Sequence, residues 1–297
     1  MQTTSQEFPT PPAGPRRRAT WRKRSIRVDA KTDVTVFEAG LSEPDAPAIL
    51  LIHGLGHWTQ AAWDFVAAEL EATHRVVGFD VPGFGESSKP KVAYDLAYFT
   101  HAARAVVAAT GLRNFALAGH SLGGLIAANY AATNPGDVRL LVLIDPAGFV
   151  RTPKLLLRIV GSRIVTGLMG AVRPSRGFIR HTFNTAVYDP ASLDETMHAQ
   201  MYARAKDPAV VRAFARVYRD ALKEFLDLPR LHRKFARYDG PVLLVWGKQD
   251  RYVPIRALEA AKRVYSHAAV KVFERCGHCP SIEYPHELAA RLREAGA

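Results

Sequence analysis

The sequence predicts an α/β fold: a mostly parallel, eight-stranded sheet with helices on both faces and an inserted helical cap. Three observations predict it. Short, almost purely apolar runs recur along the chain, helical stretches separate them, and the alternation breaks once over a segment too long for a loop.

Taken in order, residues 1–20 carry Pro9, Pro11, Pro12, Gly14 and Pro15 and read as a disordered arm. Residues 25–29 and 33–37 alternate polar and apolar side chains, as an antiparallel hairpin on a sheet edge does. After Pro47 the pattern changes. Residues 48–52, 75–79, 115–118, 140–144, 241–246 and 270–273 are nearly all apolar, the signature of strands covered on both faces. Helical stretches at 63–70, 94–110 and 122–133 lie between them, and this alternation implies a parallel sheet. The break spans residues 151–236. It reads as helical, with apolar positions at helical spacing through Val211, Phe214, Ala215, Val217 and Leu222. The expected organisation is therefore the arm at 1–20, a core domain at 21–150 and 237–297, and a cap at 151–236.

Composition narrows the function. With 48% hydrophobic and 23% charged residues, the chain has the make-up of a globular enzyme. No apolar run reaches the roughly 18 residues that span a bilayer, and no apolar stretch follows Arg16, Arg17 and Arg18 to make an export signal. A cytoplasmic location is the expectation. The two cysteines, Cys276 and Cys279, are too few for a disulfide scaffold and lack the further ligands of a structural zinc site. They are read as small loop residues, with a disulfide as the lesser alternative. The net charge of +12 is uneven: residues 151–236 hold sixteen Lys/Arg against seven Asp/Glu. No nucleic-acid-binding motif accompanies it, so the readings are a solvated basic surface or contact with an anionic membrane or acidic substrate.

Gly119-His-Ser-Leu-Gly123 is the most informative pentapeptide. It follows an apolar run and opens a helix. A serine wedged between strand and helix sits on a sharp turn, which demands small residues two positions either side. Gly119 and Gly123 supply them. The turn pushes the Ser121 hydroxyl into the open at a helix N-terminus, where developing negative charge is favoured.

In this setting the chain resembles the α/β-hydrolase family from about residue 30 to the C-terminus. His53-Gly-Leu-Gly56 is similar to the family's H-G-x-G turn, and Asp80-Val-Pro-Gly-Phe-Gly-Glu-Ser87 to its D-x-P-G-x-G-x-S loop. The resemblance implies an oxyanion hole made by the backbone N–H groups of Leu55 and Leu122. His278, Glu283 and Pro285 fall at the matching positions of the family's histidine loop, G-H-x-x-x-x-E-x-P, which assigns His278 as the base. Among the other histidines, His53 is expected to make a structural hydrogen bond, and His120 and His57 to line the pocket. Asp250, in Trp246-Gly-Lys-Gln-Asp250, resembles the family's acid and would orient His278; Asp145, after an earlier strand, is the competing acid. The chain order Ser121, Asp250, His278 is that of this fold.

The resemblance implies acyl transfer through a covalent acyl-enzyme, with no cofactor and no metal. Carboxylic-ester hydrolysis of an apolar small-molecule substrate is the leading expectation. Carbon–carbon bond hydrolysis is the alternative, weakened because His120 and Cys279 replace the Asn and Trp usual in that branch. Lactonase or perhydrolase chemistry stays open. So does a non-catalytic binding protein built on the same fold.

Overall fold

Strands without a polar face must be buried between two layers, and the chain meets that demand. The computed structural model describes residues 16–43 and 45–297. Eight strands form one sheet: β1 (Arg22–Asp29), β2 (Thr32–Gly40), β3 (Ala48–Ile52), β4 (Arg75–Phe79), β5 (Phe115–His120), β6 (Val138–Ile144), β7 (Val242–Gly247) and β8 (Ala269–Phe273). Their spatial order is β1-β2-β4-β3-β5-β6-β7-β8. The first two strands pair antiparallel with each other, β2 runs antiparallel to β4, and every later pair is parallel. This is the mostly parallel sheet that the apolar runs imply.

Helices cover both faces. On one face, α2 (Leu96–Thr110), α3 (Leu122–Thr133) and α10 (Leu258–Val264) pack on side chains such as Leu50, Leu117 and Leu244. On the other, α1 (Thr59–Leu70) and α12 (Pro285–Glu294) pack on Leu51, Ala118 and Val245. Each fully buried Val, Leu or Ile contributes roughly 1.5–3 kcal/mol relative to exposure. The helix α2 is bounded by local chemistry. Asp95 accepts the Tyr98 N–H at its start, and Gly111 takes a left-handed conformation (φ 67°) at its end.

Six helices fill the connection from β6 to β7: α4 (Lys154–Val160), α5 (Arg163–Ala171), α6 (Arg176–Ala186), α7 (Glu195–Ala205), α8 (Pro208–Glu224) and α9 (Leu228–Phe235). Asp220 of α8 ties them to the core. It accepts the Tyr94 N–H at 3.0 Å and pairs with Arg219 at 3.0 Å and Lys223 at 2.7 Å. A short α11 (Pro280–Glu283) follows β8.

Residues 1–15 of the expected arm lie outside the described residues. Residues 16–20 depart from the expectation, because they lie along the body of the protein. Arg18 pairs with Asp64 at 2.9 Å, and Arg16 and Arg18 stack over the ring of Phe65 at 4.2 and 5.1 Å. The partners are on α1, so nothing local in residues 16–20 reveals the contact. No helix among the described residues is long and apolar enough to cross a membrane.

Candidate active site

The parallel strands β3 and β5 are neighbours, while the chain leaves β3 toward β4 on one side and β5 toward β6 on the other. Crevices at such a switch point, beyond the carboxyl ends of the strands, are where open α/β sheets bind ligands. The loops after these two strands carry His53-Gly-Leu-Gly56 and Ser121.

Ser121 stands between β5 and α3 at φ 54°, ψ −114°, a strained geometry for a non-glycine residue. The backbone holds it there: its N–H donates to Ile144 O at 2.9 Å, and its carbonyl accepts the Ala147 N–H at 3.0 Å. The flanking glycines are required by contact. A Cβ on Gly119 would lie 2.2 Å from Gly123 O, and one on Gly123 would lie 2.2 Å from Ile52 O. The turn therefore brings the strand, the helix and the preceding strand to backbone contact.

His278 and Asp250 are brought together. Nδ1 of His278 donates to Oδ2 of Asp250 at 2.6 Å, with the Asp250 carboxylate fully enclosed and the imidazole 10% exposed. The other Asp250 oxygen accepts the Tyr252 and Val253 N–H groups at 2.7 and 2.9 Å, which fixes the carboxylate plane. No direct hydrogen bond joins Ser121 Oγ to His278; such contacts often tighten only when substrate binds. The two are linked through His120, beside the serine. Its ring lies 4.7 Å from that of His278, and its Nε2 donates to His278 O at 2.6 Å.

Asp145 lies behind this pair. Its Oδ1 accepts the Gly247 N–H at 2.9 Å, while Oδ2 is buried without a partner. Burial and the adjacent Asp250 carboxylate push its pKa well above the usual carboxylate range. The imidazole bonds to Asp250.

The remaining histidines divide as their surroundings dictate. His53 accepts the Val81 N–H on Nε2 at 2.9 Å and bonds Gly54 O through Nδ1 at 2.8 Å, the structural role its turn suggests. Burial lowers its pKa, lowers that of His57 to about 3, and lowers that of His120 well below the usual value. All three are therefore neutral at physiological pH. His57 packs against His120 and against Phe183 of α6 at 6.1 and 5.6 Å.

Candidate metal ligands among the described residues are His120, Asp145 and His278, with donor atoms within 4.8 Å of one another. His278 Nδ1 is bound to Asp250 and His120 Nε2 to the His278 carbonyl, while His120 Nδ1 and Asp145 Oδ2 are buried without a partner. Both cysteines are free and buried.

Two features of the site need the fold to be seen. Glu283 clamps the histidine loop to the end of α6: one oxygen accepts the Gly277 N–H at 2.7 Å, and the other accepts the Tyr188 N–H at 2.7 Å. The histidine-loop pattern marked Glu283 without giving its partners. The second feature is an aromatic wall. Phe214 of α8 abuts Gly56, Phe183 abuts His57, and Tyr252 lies 5.4 Å from His278.

A family model for the alpha/beta hydrolase fold matches residues 47–285. The chain belongs to the α/β-hydrolase family. Among its relatives is Lipase 1 of Psychrobacter immobilis, 30% identical over 250 residues, covering 81% of this chain and 74% of the lipase. Another is the 2-hydroxymuconate semialdehyde hydrolase of a Pseudomonas species, 26% identical over 248 residues, covering 82% of this chain and 84% of that enzyme. Among solved structures, a bacterial membrane phospholipase A superposes with a TM-score of 0.74 at 29% identity, covering 93% of this chain and 85% of that one. As an α/β hydrolase, the chain thus has both lipase-like and carbon–carbon-hydrolase relatives.

Proposed function

We propose that the chain is a serine hydrolase that cleaves carboxylic esters by acyl transfer. The observation that carries the reading is the 2.6 Å hydrogen bond from His278 to the enclosed Asp250, set beside the strained turn of Ser121. Ser121 Oγ attacks the ester carbonyl while its proton passes to His278 Nε2. The Leu55 and Leu122 N–H groups have no acceptor among the described residues. They stabilise the tetrahedral oxyanion, each donor being worth about 3 kcal/mol of barrier. Collapse of the intermediate expels the alcohol, which takes the proton from His278. Water, deprotonated by the same imidazole, then attacks the acyl-enzyme and releases the acid.

Asp250 holds His278 in the tautomer that presents Nε2 to the serine and stabilises the imidazolium that forms. The aromatic wall of Phe183 and Phe214 favours an apolar acyl group, as do the lipase and phospholipase relatives. The test is a panel of nitrophenyl esters of increasing chain length, alongside a vinylogous diketone substrate of carbon–carbon hydrolases. The reading expects ester turnover that Ser121→Ala abolishes. Turnover of the diketone with none of any ester would overturn it in favour of carbon–carbon cleavage.

A further inference from the structure

Of the ten large hydrophobic side chains exposed among the described residues, seven fall between residues 155 and 178. Six of them sit on three consecutive helices, and Val172 directly follows the second. On α4, Leu155 is 70% exposed and Ile159 half exposed; on α5, Ile164 and Leu168 are 78% and 66% exposed; α6 begins with an exposed Phe178. Ile164 and Leu168 are one turn apart and form a stripe. The opposite side of α5 packs on α8, where Gly170 meets Arg212 and Ala215. Among the described residues the outward stripe is therefore left without a protein partner, while the inner side is satisfied.

The charge around this patch is of one sign. Residues 151–188 contain seven Lys/Arg and no Asp/Glu. Arg151, Lys154, Arg158, Arg163 and Arg173 meet no carboxylate among the described residues; Arg180 reaches Glu195 at 2.7 Å. The side chains of Arg158 and Arg163 are exposed on the same two helices as Leu155, Ile159, Ile164 and Leu168. Apolar side chains rimmed by unpaired cations match one surface best: acyl chains beneath anionic headgroups. An acidic protein would satisfy the cations but leave this many apolar side chains to find their own pockets.

We propose that α4, α5 and the start of α6 dock on an anionic lipid surface. The apolar stripe enters the headgroup–acyl boundary and the arginines pair with the phosphates above it. The docking face is continuous with the site. From Phe178, α6 runs to Thr182, whose carbonyl accepts Tyr252 Oη at 3.0 Å, and to Ala186, whose carbonyl accepts the His278 N–H at 2.6 Å. A bound surface thus borders the same helix that covers the catalytic histidine. The proposal concerns binding alone and stands whether or not the chain cleaves esters.

The experiment is vesicle flotation of the full chain. It compares phosphatidylcholine alone with phosphatidylcholine mixed with phosphatidylglycerol, at low and raised salt. The proposal expects flotation with the anionic vesicles only, weakened by salt. It expects Arg158→Gln/Arg163→Gln to lower partitioning roughly fivefold per charge removed. It expects Ile164→Ser/Leu168→Ser to abolish flotation while leaving the melting temperature unchanged, since both side chains are exposed. Equal binding to neutral vesicles, absence of binding to either, or indifference to both double variants would overturn it. So would a lipid-free dimer in sedimentation that Ile164→Ser/Leu168→Ser dissociates, which would make the patch a contact between copies.

Discussion

His120 donates from Nε2 to the main-chain carbonyl of His278 at 2.6 Å. The residue next to Ser121 thereby supports the backbone of His278, the proposed base, and both groups are buried. Replacing His120 with Phe keeps the bulk and removes the donor, leaving a buried carbonyl unpaired. We expect a loss of about 1–3 kcal/mol in urea denaturation. We also expect kcat for a short nitrophenyl ester to fall about tenfold with KM nearly constant, because the base is displaced and the pocket is not.

Two carboxyl groups lie behind His278, and they should behave differently. Asp250 bonds the imidazole directly, so Asp250→Asn, which favours the wrong tautomer, should lower kcat by about ten-thousandfold. Asp145 has its pKa raised by burial and by the Asp250 carboxylate, and it touches no imidazole nitrogen through a hydrogen bond. Asp145→Asn preserves the acceptor to Gly247 and should retain activity within about tenfold. Steady-state kinetics of the two variants decides between the acids, and equal losses would show that Asp145 works directly on the histidine.

The same carboxyl group should shape stability against pH. Its folded pKa is raised well above the unfolded value of 3.8, so the folded state holds the proton more tightly. The stability this contributes is fully present below about pH 3.8 and is lost as pH rises toward the folded value. Asp145→Asn cannot titrate and lacks that loss. The difference in melting temperature, wild type minus Asp145→Asn, should therefore fall as pH is raised above about 4.

Backbone contact at the serine turn makes Gly123 irreplaceable. A methyl group there would sit 2.2 Å from Ile52 O and 2.7 Å from His53 O. Neither atom belongs to a side chain that can swing away, since both lie in the sheet and its loop. Gly123→Ala should cost about 3 kcal/mol, at the upper end for overpacking, and should disturb the Leu122 N–H with it. Chemical denaturation and ester kinetics on the same preparation would check both effects.

Much of this was legible in the chain because the physics was local. Residues 48–52 and 75–79 are strands over their whole apolar length, since such runs leave no exposed face. The serine turn was legible because small residues at fixed spacing are a steric requirement. What stayed hidden depends on distant partners. The clamp of Glu283 needs Tyr188, 95 positions away on another element. The docking of Arg16 and Arg18 needs Asp64 and Phe65. The contest between Asp145 and Asp250 was visible as two acids after two strands. The resemblance favoured Asp250, and the hydrogen bond from His278 Nδ1 to Asp250 distinguishes the two in the structure.

The most direct measurement is reaction with a fluorophosphonate followed by peptide mass mapping. An activated serine beside an imidazole is phosphonylated at once, whereas an ordinary hydroxyl is inert. The account predicts a single adduct on Ser121, absent from denatured protein and from His278→Ala. A folded wild-type protein that leaves Ser121 unmodified, or that is modified equally well without His278, would contradict it.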